Sequence, residues 1–469
     1  MLDLVVRNGT VVLADATVEM DVGVLGGKVS CLGQPGGTMD AREEIDASGL
    51  YVFPGFIDAH VHVNMQLGEF VTNDGFSDAT RAAAHGGTTT VVDFAIPNPR
   101  ESPLEALERK LSEAERDAYV DYSFHGCLVR ADEESIEQVP RLMERGIGTI
   151  KMFMVYKDRL MLSSGEIRAV MKELAEHGGT ALIHAEDPGI IDYLVDRESA
   201  VGTGSPLAHV RAHPNGSEVT AMWTVATLVE ETGCPTYFVH VSVGQASEVL
   251  RYAQEKGLPL KAETCPHYLT LASGLYEGEG GRNYVCSPPL RSEADAEALW
   301  NLIEDGLIQV VNSDHCGYDT EQKSRFPADF TKIPNGLPGV ETKNVVLFSE
   351  GVGSGRLTPQ EFVALTSTNM ARMLDVYPAK GTVAVGSDAD LVLFDPDETW
   401  TLRAEDTHMR TDYSPFEGFQ VRGRPKTTIV RGEVVVRDGE LVGSTDHGRF
   451  VSTGPSGDGE HRRERSAAR

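Results

Sequence analysis

The sequence predicts an α/β protein, with a (β/α)₈ barrel in the middle of the chain and a smaller β-sandwich domain built from its two ends. Two observations lead to this prediction. In the middle of the chain, strand-type segments alternate with helical ones, and the strand-type segments number eight. At both ends only strand-type segments occur, with glycine at the turns. A doubly wound open sheet is the alternative architecture for the middle region.

The same pattern gives the expected domain boundaries. Residues 1–52 and 379–442 are the two parts of the β-sandwich, 53–378 the barrel, and 443–469 a polar, Gly/Ser-rich disordered tail. In the second part of the sandwich, Arg431-Gly432 is typical of a hairpin turn.

The barrel strands are expected at the following segments: 55–62, 88–96, 120–129, 149–155, 180–186, 235–242, 258–266 and 308–316. Between them, 102–118 and 163–178 are typical of helices. In the second of these, Ser164 is expected to cap the start and Gly178 to end the helix. Two irregular insertions, 199–216 and 317–340, follow strands, so we expect them over the active-site face.

Composition excludes several classes of partner. The formal net charge is −29, with 71 acidic against 42 basic residues, which opposes nucleic-acid binding. No apolar run reaches the roughly 18 to 20 residues needed to span a bilayer, and the first residues do not read as a signal peptide, so no membrane partner is expected. Six cysteines without a Cys-x-x-Cys pattern indicate reduced thiols, and we expect a cytoplasmic protein.

The segment GFIDAHVH, residues 55–62, carries the first chemical signal. A hydrophobic run ends in Asp58, and His60 and His62 follow with the spacing that points alternate strand side chains to one face. The two imidazoles can therefore reach one metal ion. Two histidines on the polar face of an ordinary strand are the alternative interpretation.

Further polar side chains lie at the carboxyl ends of other expected strands, and a barrel brings these ends together at one rim. They are Lys151, His184, His240 and Asp314. Each histidine alone is more typical of a hydrogen-bonded core residue than of a ligand. His267 and His315 lie near the same rim and are expected to support the ligands rather than bind metal. The remaining histidines considered are interpreted as structural or surface residues, namely His85, His125, His177, His209, His213 and His408.

Lys151 lies in the apolar segment TIKMFMV, where burial disfavours an ammonium. A salt bridge to a neighbouring acid is one interpretation. In the other, the neutral amine takes up carbon dioxide, and the resulting carbamate bridges two cations. Asp314 would add a hard oxygen ligand and accept a proton from the nucleophilic water, so the arrangement is typical of a hydrolase.

These motifs together resemble the dihydropyrimidinase and hydantoinase group of cyclic amidohydrolases. The resemblance rests on GFIDAHVH, KMFMVYKD, LIHAE, FVHVS, ETCPHYL, SPPLR, SDHC and IPNG, in that order, and covers nearly the whole chain. It implies the barrel and the sandwich, and two divalent metal ions, which would be zinc as in the family. It also implies ring opening of dihydropyrimidines or 5-substituted hydantoins to N-carbamoyl amino acids. It also implies a homotetramer.

The resemblance also implies roles for individual residues. His60, His62 and Asp314 match ligands of the more buried metal, His184 and His240 those of the more exposed metal, and Lys151 the bridging carboxylysine. Tyr156 matches a tyrosine that stabilises the oxyanion. Two further positions match residues that hold the amide edge of the ring, Ser287 and Asn335. Three match residues around the exocyclic substituent, Leu67, Phe153 and Leu160.

The sequence departs from the family pattern at Asn312, where glycine is expected, and in the segments GYD and GLPGVE. None of these is a ligand, but rim loops set substrate preference. Three alternatives therefore stay open: an allantoinase, a non-catalytic oligomeric scaffold of the same fold, and a mononuclear deaminase, which would not need Lys151.

Overall fold

The central domain is a closed barrel of eight parallel strands. The structure, a computed structural model, describes residues 1–454. The barrel strands are Phe56–Val61, Thr88–Ala95, Asp121–Cys127, Thr149–Phe153, Thr180–His184, Thr236–Phe238, Leu260–Thr264 and Val310–Val311. They neighbour one another in chain order. Each lies within a segment expected to form a strand, so the predicted barrel is confirmed.

The barrel closes where the chain after the eighth strand meets the first. Val61 and His315 form a parallel bridge. The amide of His62 donates to the carbonyl of His315 at 2.7 Å, and the amide of His315 donates to that of His60 at 3.2 Å. This closure brings the His-x-His pair and Asp314 together at one end of the barrel.

The burial of the barrel strands explains their composition. Every residue of Thr88–Ala95 and Asp121–Cys127 is buried. In a barrel, one face of each parallel strand packs against helices and the other packs against side chains in the barrel interior. Such strands are therefore continuous runs of buried residues, rich in Val, Ile and Phe. Polar residues in such runs are costly without partners, and they occur at both ends of the strands, with Thr88 and Asp121 at the amino ends.

The two ends of the chain form one mixed sheet of nine strands. Tyr51–Pro54, from the amino-terminal part, pairs antiparallel with Leu391–Thr401, from the carboxyl-terminal part. The predicted discontinuous β-domain is therefore confirmed. Its strands are Leu2–Val12, Thr17–Leu25, Lys28–Gly33, Ala41–Asp46, Tyr51–Pro54, Leu391–Thr401, Gln420–Val430, Glu433–Arg437 and Glu440–Leu441. A separate hairpin joins Gln66–Leu67 to Phe70–Val71.

Turn and cap chemistry fixes several element ends. Arg431 and Gly432 have φ of 45° and 77°, which suits the predicted hairpin turn. Helix Ser164–His177 ends at Gly178, as predicted, in the left-handed region. Its cap is Ser163 and not Ser164, because the Ser163 hydroxyl and the Glu166 side chain form a reciprocal capping box.

The helices lie mostly between the barrel strands. The α-helices are Phe76–His85, Pro103–Ala114, Glu133–Ile136, Gln138–Glu144, Ser164–His177, Pro188–Val201, Pro206–Ala212, Asn215–Thr232, Ala246–Lys256, Pro266–Thr270, Glu293–Glu304, Thr320–Ser324, Lys343–Leu347, Pro359–Val363 and Asn369–Met373. Shorter 3₁₀ turns are Ser273–Glu277, Gly281–Tyr284, Phe330–Lys332 and Ala404–Asp406, and π turns are Phe348–Gly353 and Ala364–Thr368. Within residues 1–454, no helix is both long and apolar enough to cross a bilayer.

Two expectations about irregular segments need correction. The insertion 199–216 is largely helical, because Pro206 and Ser205 start a short helix inside it. Residues 443–454, expected to belong to a disordered tail, pack against the barrel. The amide of Val451 donates to the carbonyl of Tyr122, and that of Thr453 to the carbonyl of Gly146. The remainder of that tail, 455–469, lies outside the described residues.

Candidate metal centre and active site

The carboxyl ends of the barrel strands surround a chamber of about 160 Å³, called here the catalytic chamber. Side chains expected from the sequence to act in the site line it together, namely His60, His62, Lys151, Tyr156, His184, His240, Ser287, Asp314 and Asn335. They come from segments separated by up to 275 positions of sequence (335 − 60). The barrel brings these distant residues to one place.

His60, His62 and Asp314 form the first group of ligand atoms. Asp314 Oδ1 lies 3.0 Å from His60 Nε2 and 3.3 Å from His62 Nε2. Their ligand atoms lie within 4.8 Å of one another, close enough to share one ion. All three residues are buried or nearly so.

His184 and His240 form a second group beside the first. Their ring centroids are 4.5 Å apart, and the His240 ring lies 5.4 Å from that of His60. His240 and Asp314 hold left-handed backbone conformations, with φ of 41° and 49°. Non-glycine residues adopt this region rarely, and such strain clusters at functional sites.

Lys151 is 1% exposed and points into apolar surroundings. Its Nζ lies 5.2 Å from the ring centroid of Phe94 and 4.9 Å from that of Phe153. Burial lowers the pKa of this lysine to about 8, against the pull of Asp314 and Glu263. Among the described residues, no carboxylate lies within salt-bridge distance of Nζ. The geometry therefore gives Lys151 no salt bridge, and the lowered pKa makes a larger fraction of the amine neutral near neutral pH than in an exposed lysine.

Glu263 holds the first group in place, and the sequence analysis did not single it out. Its carboxylate accepts short hydrogen bonds from His60 Nδ1 and Asn312 Nδ2, and one of 2.7 Å from the Tyr237 hydroxyl. It also accepts from the amide of His240 at 3.1 Å. One buried carboxylate thus orients two candidate ligands. An acid at the end of a barrel strand, in ETCPHYL, was the available signal.

Asn312, at the position where glycine was expected, completes this network. Its side-chain oxygen accepts the amide of Ala59 at 3.1 Å, while its amide group bonds Glu263. The departure from the family pattern therefore reinforces the site and does not disturb a ligand.

Glu186 serves the second group in a similar way. One carboxylate oxygen lies 2.7 Å from His184 Nε2 and 3.1 Å from the Ser287 hydroxyl, and the other lies 2.9 Å from His213 Nδ1. A residue two positions after His184, in LIHAE, was the available signal. His213, interpreted from sequence as structural or surface, is thus buried beside the site.

The residues present fit divalent cations. Burial lowers the pKa of His62, His184 and His240, which favours the neutral imidazole that binds metal. Burial alone would raise the pKa of Asp314, but His60 and His62 hold it well below its ordinary value. Against its own burial, His60 has a pKa raised to about 9 by Asp314 and Glu263, so this position attracts positive charge. His60 Nε2 has no hydrogen-bond partner among the described residues.

The candidate substrate contacts Tyr156, Ser287 and Asn335 line the same chamber as the candidate ligands. Tyr156 has φ of 68°, and its ring centroid is 5.6 Å from that of His184. Burial raises the pKa of its phenol, so the hydroxyl keeps its proton. The predicted pocket residues Leu67, Phe153 and Leu160 also line the chamber.

The two supporting histidines have different surroundings. His315 Nδ1 accepts the amide of Gly339 at 3.1 Å, and its Nε2 lies 3.2 Å from Asp74 Oδ2. His267 is 3% exposed, and burial lowers its pKa to about 4. Neither lines the catalytic chamber, in keeping with the expectation that neither binds the metal directly.

The chain resembles known proteins along almost its whole length. Residues 51–435 match the amidohydrolase family. The D-hydantoinase of Geobacillus stearothermophilus is 41% identical over 452 residues, 95% of each chain. The D-hydantoinase of Ralstonia pickettii is 37% identical, over 96% of this chain and 98% of its own. The crystal structure of a dihydropyrimidinase from Brevibacillus agri superposes with a TM-score of 0.94 at 39% identity, over 97% of this chain and 99% of its own.

Proposed function

Because the chain belongs to the amidohydrolase family and is a cyclic amidase, we propose that it opens 5-substituted hydantoins and 5,6-dihydropyrimidines to N-carbamoyl amino acids. The observation that carries this proposal is the convergence of nine expected side chains on one buried chamber. The names of its relatives, D-hydantoinase and dihydropyrimidinase, support the substrate class.

We propose that two divalent metal ions act in this chamber and that both are zinc. His60, His62 and Asp314 would hold one ion and His184 and His240 the other, with Lys151 as a carbamate between them. Bound there, such ions supply an acidified water and polarise the amide carbonyl. The neutral amine is the form that reacts with carbon dioxide, and the lowered pKa of Lys151 increases its share.

The protein side chains perform the remaining steps. Asp314 stays a carboxylate, so it can take a proton from the attacking water and deliver it to the ring nitrogen that leaves. Tyr156 keeps its phenolic proton and can donate to the oxyanion that forms on the carbonyl carbon. Ser287 and Asn335 would hold the amide edge of the ring through their main-chain groups.

We also propose that the enzyme is a cytoplasmic homotetramer. Six cysteines that form no disulfide support a reducing compartment. Apolar side chains exposed on neighbouring helices support a subunit interface, with Tyr193 61%, Val201 75% and Trp223 36% exposed. Sedimentation equilibrium of the purified protein tests the assembly: a monomer at micromolar concentration would contradict it.

The function is tested by incubating zinc-loaded protein with dihydrouracil, hydantoin, phenylhydantoin and allantoin, with metal content measured on the same sample. We expect ring opening of the first three, with about two metal ions per chain. Turnover of allantoin alone would favour the allantoinase alternative. Absence of metal after supplementation with zinc and bicarbonate would favour the scaffold.

A further inference from the structure

A second cavity of about 600 Å³, called here the outer cavity, adjoins the catalytic chamber. The two are lined in common by four residues, Met65, Ile96, Arg159 and Leu160. The shared residues place the outer cavity next to the position of a ring substituent in the chamber. The outer cavity is much the larger, so it has room for a substituent bigger than the ring itself.

The lining of the outer cavity has more basic than acidic residues, unlike the chain as a whole. Over the whole chain, acidic residues outnumber basic ones by 71 to 42. Among the residues lining this cavity, five are basic and two are acidic: Arg100, Arg109, Lys110, Arg130 and Arg159 against Glu113 and Asp158. A cavity with this lining favours an anion.

Most of these cations already have partners. Arg109 is paired with Glu101 and Glu113 at 3.0 and 3.1 Å, and Lys110 with Asp93 at 2.8 Å. Arg130 is paired with Asp132 at 3.3 Å.

Arg159 differs from those three cations. Like Arg100, it has no ion-pair partner among residues 1–454, but of these two cations only Arg159 also lines the catalytic chamber. Its neighbour Asp158 lines the outer cavity but not the catalytic chamber, so of the two only Arg159 lies at the junction.

The other junction residues define the rest of the substituent. Met65, Ile96 and Leu160 contribute apolar side chains to the same junction as the arginine. A substituent that matches this lining has a hydrocarbon stem followed by a terminal anion. Arg159 can bind a carboxylate with two parallel hydrogen bonds, which fixes its direction as well as its charge.

We propose that Arg159 is a specificity residue that selects cyclic amides whose ring substituent is an alkyl chain ending in a carboxylate. This inference deepens the proposed function and rests on it, since the ring must be held in the catalytic chamber. The product would be an N-carbamoyl amino acid with a second, side-chain carboxylate.

The test compares hydantoins with 5-carboxyalkyl chains of increasing length against uncharged 5-alkyl hydantoins of matched length. For each pair, kcat/KM of the acid is divided by kcat/KM of the neutral compound. In the wild-type enzyme one chain length should maximise this ratio. Arg159→Gln should lower that maximum about five- to tenfold, as expected for a partly exposed charge-assisted contact. Its kcat/KM for the neutral compounds should fall less than its kcat/KM for the acids.

Two further variants serve as controls. Arg159→Lys keeps the charge but loses the planar fork, and should give an intermediate ratio. Lys157→Gln removes an exposed cation of the same loop, whose partner is Asp192 at 3.9 Å, and should leave the ratio unchanged. An equal loss for acids and neutral compounds in Arg159→Gln would overturn the inference, as would an unchanged ratio.

Binding by calorimetry separates this inference from the proposed function. If no hydantoin is hydrolysed, the proposed function fails. The inference then stands only if the acid of best length binds wild-type protein more tightly than its neutral partner and Arg159→Gln removes the difference. Equal binding of acid and neutral compounds to wild-type protein would overturn it.

Discussion

At the scale of single residues, the site depends on a lysine with no partner acid. Lys151 is nearly fully buried beside two phenyl rings, and burial lowers its pKa to about 8, which increases the neutral fraction of the amine. A buried amine without an ion-pair partner gives little stability in itself, which agrees with the proposal that the amine reacts.

Replacing this lysine tests the bridging carbamate. In Lys151→Ala, bound metal measured by atomic emission should fall by about half or more, and kcat by about 10³-fold or more, because the ligand between the two ions is lost. Lys151→Arg is the matched control: it keeps a cation but cannot take up carbon dioxide, and it should fail in the same way. Near-normal metal and activity in Lys151→Ala would instead favour a mononuclear site.

Glu263 is the second residue on which the site depends. Its carboxylate is shared by His60, Tyr237, Asn312 and the amide of His240. Burial alone would raise its pKa, but His60, Tyr237 and Asn312 hold the pKa below the ordinary value, so it remains an acceptor. An amide in its place could accept at only one of its two terminal atoms.

Glu263→Gln should therefore weaken zinc binding about 10- to 100-fold, the range found when a partner of a metal-binding histidine is removed. Competition with a chromophoric chelator measures this affinity. Glu248→Gln, on helix Ala246–Lys256, is a control that removes an exposed carboxylate. Wild-type zinc affinity in Glu263→Gln would show that the hydrogen bond does not orient His60.

At the scale of elements, the two loops that carry Ser287 and Asn335 are fastened together by a buried lysine. Lys323 Nζ donates to the carbonyls of Val285 and Gly336 at 2.6 and 2.7 Å. Burial lowers its pKa from the ordinary 10.5 to about 7. A neutral amine has two N–H groups, which match the two carbonyls.

Lys323→Met keeps the length of the side chain but removes both donors. The carbonyl of Gly336 then loses this donor inside the protein, at a cost of about 1–3 kcal/mol. We expect a lower melting temperature and a higher KM with a smaller change in kcat, because the loops hold the ring rather than perform the reaction. Lys332→Met, in the same insertion and 56% exposed, should leave both unchanged.

The same lysine predicts a pH dependence of stability. Between about pH 7 and 10.5 the unfolded chain holds a proton that the folded chain has lost, so the free energy of unfolding attributable to Lys323 rises with pH. Urea unfolding across this range should show a rise in wild type that is smaller in Lys323→Met. Parallel curves for the two proteins would contradict the lowered pKa.

The elements also show what sequence can predict. All eight barrel strands were predictable, because buried parallel strands give continuous apolar runs that end in polar site residues. Glu263 and Lys323 were not singled out, because their importance lies in contacts with residues far away in sequence. A lone acid or lysine in a segment carries no signal of what it will touch. The same limit explains why Arg159 was not singled out from the sequence, because its proposed role depends on two neighbouring cavities.

At the scale of the whole molecule, the prediction of disorder from composition was wrong for residues 443–454. Polar and glycine-rich sequence indicates disorder when no apolar surface is available to bury. Here the segment adds to the base of the barrel through main-chain hydrogen bonds, which composition does not register. Phe450 also packs on Phe124, with ring centroids 6.4 Å apart, and Thr453 is 2% exposed.

This packing makes the segment part of the stability of the barrel. The amide of Arg449 donates to Asp121 at 3.0 Å, and that of Gly454 to the carbonyl of Leu374 at 3.1 Å, so the segment ties the third barrel strand to the helical region before the second part of the β-domain. A chain that ends after residue 442 should melt about 5 °C or more below one that ends after residue 454, since several buried hydrogen bonds and aromatic contacts are lost together. Differential scanning calorimetry of the two zinc-loaded proteins measures the difference. Because the catalytic chamber lies at the opposite end of the strands, kcat at 25 °C should be the same in both proteins. Equal melting temperatures would show that the segment adds no stability.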